Sequence, residues 1–296
     1  MLLSEAIQKR MRSKLCVCLM LGLFLVPFVI ADSDSSCPAS PDYREAQRFD
    51  GYIVRMVPGI APRGKERFEF RCLGTITPPK GLRKTIAKDW TMEVDPISGS
   101  DVNGDGKPDA VFDGHTSGAR CCYEYWIASL SRTPKLIREL RTALPAKFEK
   151  NSVGGVEIRI PDAAFQFFML PFEEAVTPLV IFRLEGDQLI DVSAQHQQEY
   201  DDQISKVRSE LKPAELEKFR QSRYNDKLFM DQLPAVKGVL TIALDYLYSG
   251  REPQAWQTLE EMWPESDQGR VKATILERRR RGIVNQLSAT EPKSPS

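Results

Sequence analysis

Between about residues 43 and 193 the apolar residues of this chain recur mainly at every second position, and beyond residue 195 at every third or fourth. The first period is that of a strand with one face buried, the second that of an amphipathic helix. Phe68, Phe70 and Cys72 alternate with Glu69 and Arg71, and Pro78-Pro79-Lys80-Gly81 ends that strand. Trp90, Met92 and Val94 alternate with Thr91, Glu93 and Asp95, and Ala110-Val111-Phe112 starts another strand. The run from Cys121 to Leu130 is apolar on both faces and reads as a central strand. Val153, Val156, Ile158 and Ile160 predict a strand whose Glu157 and Arg159 face water. Residues 178–184 and 188–192 flank Gly186-Asp187, the signal of a two-residue hairpin.

Past residue 195, Ile204, Val207, Leu211, Leu216 and Phe219 sit at helical spacings, with Pro213 suited to a first turn. Val236, Leu240, Ala243, Leu244 and Leu247 form one apolar stripe. Gly250 closes that helix, and Pro253 begins another that stops at Pro264. A last helix is expected from about Asp267 to Gln286, its Arg278–Arg281 run complementing the macrodipole. The fold class is therefore α+β: a mainly antiparallel β region over residues 32–194, then an α-helical region over 195–296. The helices are the expected cover for exposed sheet edges.

The N-terminus sets the compartment. Lys9, Arg10, Arg12 and Lys14 precede an apolar core from Leu15 to Ile30, and Val29-Ile30-Ala31 offers a cleavage site. That core, about sixteen residues with Pro27 inside, is short for a membrane span. Residues 1–31 read as a signal peptide, and the mature protein is expected to be secreted or periplasmic. No other stretch suits a membrane span.

Export changes the charge and the cysteine count. The whole chain has 41 Lys+Arg and 41 Asp+Glu. Loss of four basic residues and Glu5 leaves 37 against 40, a net −3. That balance argues against a nucleic-acid binder. Cys16 and Cys18 leave with the signal, and Cys37, Cys72, Cys121 and Cys122 remain. An even count in an exported chain suggests two disulfides. On a strand Cys121 and Cys122 point to opposite faces, which favours separate bridges to Cys37 and Cys72. A Cys121–Cys122 ring is the alternative.

The candidate chemistry lies in Asp101-Val-Asn-Gly-Asp-Gly-Lys-Pro-Asp109. Asp101, Asn103, Asp105 and Asp109 supply side-chain oxygens, and Lys107 supplies its backbone carbonyl, a donor set suited to Ca²⁺. Without an ion the carboxylates repel by about 4 kcal/mol per pair at ~4 Å and an effective dielectric of ~20. Phe112 stands where an EF-hand needs its bidentate Glu, and the flanks are strands, so this is no EF-hand.

An Asp loop joining two strands resembles the calcium loop of FG-GAP or VCBS-type repeats, which implies a propeller-blade-like β unit and bound calcium. The segment with Ser117, Gly118, Ala119, Cys121 and Cys122 is similar to that of uncharacterised bacterial exported proteins with a Gly-Ala-x-Cys-Cys motif. Arg120 stands in the place of a His expected there. Such proteins continue into a second repeat ending like Asp191-Val192-Ser193. Its loop at Gly154-Gly155-Val156-Glu157 is poor in carboxylates. Ala243, Tyr246, Gly250, Ala255 and Leu259 resemble a tetratricopeptide-type helical hairpin over about 236–264, departing from it at Pro264.

No nucleophile elbow, phosphate loop, zinc helix or dinucleotide fingerprint occurs. His115 and His196 lie in no metal-ligand spacing, and His115 is the one acid/base candidate. The leading expectation is an exported calcium-binding interaction module without catalytic activity, its calcium structural. Two alternatives are an envelope assembly factor that holds a protein partner on the C-terminal helices, and a calcium-dependent hydrolase.

Overall fold

The computed structural model describes residues 46–58, 72–89, 91–118, 121–223 and 231–289, with only the backbone at residues 58, 116–118, 121 and 289. The expected signal peptide, Cys37, Phe68, Phe70, Trp90, Ala119 and Arg120 lie outside these residues. Among the described residues, no helix is long and apolar enough to cross a membrane.

The β region is three successive antiparallel meanders of four strands each, and they form no closed propeller. The first is β1 (Gln47–Phe49), β2 (Tyr52–Pro58), β3 (Cys72–Thr77) and β4 (Lys84–Asp89). The second is β5 (Thr91–Val94), β6 (Asp109–Gly118), β7 (Cys121–Ser129) and β8 (Lys135–Thr142). The third is β9 (Lys147–Lys150), β10 (Val156–Pro161), β11 (Leu179–Glu185) and β12 (Gln188–Asp191). The sequence suggested two repeats. The extra sheet is the first, whose edge strand β4 carries mostly polar residues and gives little periodic signal.

The second sheet is buried on both faces because successive side chains of a strand point opposite ways. Ala110, Phe112, Trp126 and Ala128 join Val54, Ile76 and Met92 in one core with the first sheet. Val111, Tyr125 and Ile127 join Ile158, Phe182 and the helical residues Leu240 and Leu247 in the larger core. The register sets Phe112 opposite Trp126 and Val111 opposite Ile127, so each face is filled by cross-strand pairs.

In the third sheet, Glu185 pairs with Gln188 around the expected Gly186-Asp187 turn. Two features of β10 depart from the expectation. Val153 is not in the strand but in the preceding turn, 88% exposed. There Asn151 Oδ1 accepts the N–H groups of Val153 at 3.1 Å and Gly155 at 2.9 Å. Glu157, expected to face water, is buried. The chain returning from β12 covers that face and brings His196 against it.

The helical region consists of α1 (Gln197–Glu210), α2 (Pro213–Arg220), α3 (Leu233–Tyr248), α4 (Glu252–Met262), α5 (Gln268–Arg280) and α6 (Ile283–Ala289). Helices α3 and α4 pack as a hairpin through Ala243, Ala255 and Leu259, all buried. Gly250 turns the chain between them at φ +80°. The single last helix expected over 267–286 is two. Gly282 breaks it, and the Ile283 N–H donates to Asp162 Oδ2 at 3.1 Å. The arginine run also does more than face a helix end. Arg278 donates to the carbonyls of Ala164 at 2.7 Å and Gln166 at 3.1 Å, binding α5 to the β region. Helix α6 then lies along β8 and β12. Arg138 of β8 donates to the Leu287 carbonyl at 2.5 Å, so the helices do cover sheet edges.

Candidate functional site

The Asp101–Asp109 loop runs between β5 and β6, after a turn at residues 96–99. Its base is closed by paired backbone bonds. Asp109 N–H donates to the Ser100 carbonyl at 2.8 Å, and Gly99 N–H donates to the Asp109 carbonyl at 2.7 Å. Val102 is buried in the larger core and pins the loop from inside. Gly104 at φ +76° and Gly106 at φ +81° supply the left-handed bends that let a nine-residue span curl on itself.

Each of the four predicted side chains places at least one oxygen on the loop's own backbone. Asp101 accepts from Gly104 at 2.7 Å and Asp105 at 3.1 Å through Oδ1, and from Gly106 at 2.8 Å through Oδ2. Asn103 Oδ1 accepts from Asp105 at 3.2 Å, and Asp105 Oδ1 accepts from Lys107 at 2.9 Å. Asp109 Oδ2 accepts from Val102 at 2.9 Å and Asn103 at 3.2 Å. These bonds are Asx-type turns that fix the loop's curvature.

Asp109 stands apart from the others. It is 0% exposed, and its Oδ1 has no hydrogen-bond partner among the described residues. Burial pushes its carboxyl up to about 7, opposed by the Val102 and Asn103 N–H groups and reinforced by the nearby Asp105 and Asp101 charges. A buried carboxylate oxygen without a donor is costly, and a cation is one way to satisfy it. The donor chemistry therefore fits a hard divalent ion: carboxylate and amide oxygens, with no nitrogen or sulfur. Among the described residues, however, no three His, Cys, Asp or Glu side chains are gathered as a metal-holding group.

A second acidic group lies on the same sheet. Glu93 of β5 is directly opposite Asp113 of β6. Burial pushes Asp113 up to about 7, and the charges of Glu93, Asp95 and Asp89 add to that. His115, the acid/base candidate, stacks on Tyr123 with ring centroids 4.7 Å apart. Its main chain accepts the Thr91 hydroxyl at 2.7 Å.

A polar cleft that no local pattern signals lies where the third sheet meets α1, lined by Glu157, Arg159, Arg183 and His196. Glu157 and Arg159 belong to one strand, but His196 reaches them only through the fold. Compared with known proteins, the chain matches no family model, no curated protein and no solved structure.

Proposed function

We propose that this is an exported calcium-binding module of the FG-GAP/VCBS-like kind, with the ion serving stability rather than catalysis. Asp101, Asn103, Asp105 and Asp109 would hold Ca²⁺ with the Lys107 carbonyl. The ion supplies positive charge to a loop that otherwise confines three carboxylates. Asp109 carries the reading: its buried, unpartnered Oδ1 belongs to a loop whose other donors are all oxygens. Asp101 and Asp105 remain nearer to solvent, so uptake of the ion draws them inward while the turns around them are already formed. The rest of the chain offers binding surface and scaffold, and the proposed role is interaction with another molecule outside the cytoplasm.

Calcium near ~1 mM against a Kd of ~0.1 mM would stabilise the fold by roughly 1.4 kcal/mol. Thermal melting of the wild type and of Asp105→Ala, each with Ca²⁺ and with EDTA, tests the proposal. The wild type is expected to melt higher with Ca²⁺, and the variant to lose that difference. Superimposable wild-type curves in Ca²⁺ and EDTA would remove the calcium reading.

A further inference from the structure

A cleft of about 360 Å³ opens beside β10 and β11, in the size range of small-molecule sites. Its wall includes Ser152 from the turn before β10 and Gln195 and His196 from the turn before α1. Glu157, 4% exposed, anchors one side. Its Oε1 accepts from Asn151 Nδ2 at 3.2 Å and lies 3.2 Å from His196 Nε2. That contact fixes the imidazole by one nitrogen and leaves Nδ1 for a ligand.

The two arginines of the cleft are engaged very differently. Arg159 is taken up by Glu199, through bonds of 2.6 and 2.9 Å, and by Glu149 at 3.0 Å. Arg183 has one long hydrogen bond, 3.4 Å to Gln195 Oε1, and Glu185 stands 3.8 Å away. Its guanidinium fork is the open one, and a fork of that shape matches a carboxylate through two parallel hydrogen bonds. Among the described residues, the Ser152 hydroxyl and the Gln195 amide nitrogen have no hydrogen-bond partner, and both suit hydroxyl groups.

We propose that this cleft binds a small hydroxylated carboxylate of sugar-acid size, with Arg183 on the carboxylate and His196, Ser152 and Gln195 on the hydroxyls. None of these residues belongs to the Asp101–Asp109 loop, so the inference stands apart from the calcium reading.

Isothermal titration of the full chain with glucuronate, glucose and inorganic phosphate tests it. Glucuronate is expected to bind, with glucose and phosphate each at least about tenfold weaker. Arg183→Ala is expected to weaken glucuronate by about tenfold or more, and Arg183→Lys to weaken it less, since a point charge keeps the attraction without the fork. Arg183→Lys also guards against misfolding of the alanine variant, and both are checked by circular dichroism. No glucuronate heat up to about 10 mM, equal affinity for glucose, tighter binding of phosphate, or affinity indifferent to both variants would each overturn the assignment.

Discussion

Tyr248 donates its hydroxyl to Asp162 Oδ2 over 2.6 Å, joining the end of the third helix to the segment that leaves β10. Both residues are buried, and Asp162 also accepts the N–H groups of Ala164 and Ile283. One carboxylate thus collects a tyrosine, a turn and the start of α6.

Removal of the hydroxyl should be costly beyond the loss of one bond. Tyr248→Phe is expected to destabilise the protein by about 1–3 kcal/mol in urea unfolding, because a buried carboxylate oxygen loses a donor. Combined with Asp162→Asn, the two changes should be non-additive. Additive effects would mean the contact contributes nothing.

Asp109→Asn separates loop shape from charge. An amide oxygen can still accept from Val102 and Asn103, the two partners of Oδ2. The variant is therefore expected to fold while losing the Ca²⁺-dependent rise in melting temperature. An undiminished calcium response in this variant would exclude Asp109 as a ligand.

A pH dependence follows from Asp245 in α3. It is buried, with Oδ2 unpartnered among the described residues, and burial pushes its carboxyl up to about 7 against the opposing pull of Arg251. The folded chain keeps this proton where the unfolded chain, with a value near 3.8, has released it. Stability from this group is complete below about pH 4 and is lost as pH rises through about 7. Asp113 acts in the same direction. The melting temperature is expected to fall between about pH 5 and pH 8 in EDTA, and Asp245→Asn should flatten part of that slope. An identical slope in the variant would remove Asp245 as a cause.

The cysteines give a chemical test. Two disulfides among Cys37, Cys72, Cys121 and Cys122 are the expectation for an exported chain with an even cysteine count. Peptide mapping without reductant is expected to place Cys121 and Cys122 in separate bridges, one to Cys37 and one to Cys72. A peptide carrying a Cys121–Cys122 ring would overturn that pairing.

What the chain discloses by itself depends on how local the cause is. The burial of β7 on both faces was legible because the sequence is apolar at consecutive positions there, and the core assignment of Tyr125, Trp126 and Ile127 follows. The curl of the Asp loop was legible because its glycines fall where the backbone bends left-handed. Glu157 was misread for the opposite reason. Alternation tells which residues share a side, but not what later folds over that side, and here the cover is the turn containing His196. The break before α6 was hidden in the same way. Arginines favour helix up to Gly282, while the carboxylate that captures the next N–H comes from Asp162 in the β region.

The loop is not isolated from its surroundings. Gly186, at the tip of the β11–β12 hairpin, donates its N–H to the Asn103 carbonyl at 2.8 Å. That hairpin packs against α6 along β12, so the connection continues into the helices. The loop is thereby joined directly to the third sheet and, through β12, to α6. The exchange rate of a single amide, that of Gly186, becomes a gauge of what the loop has taken up.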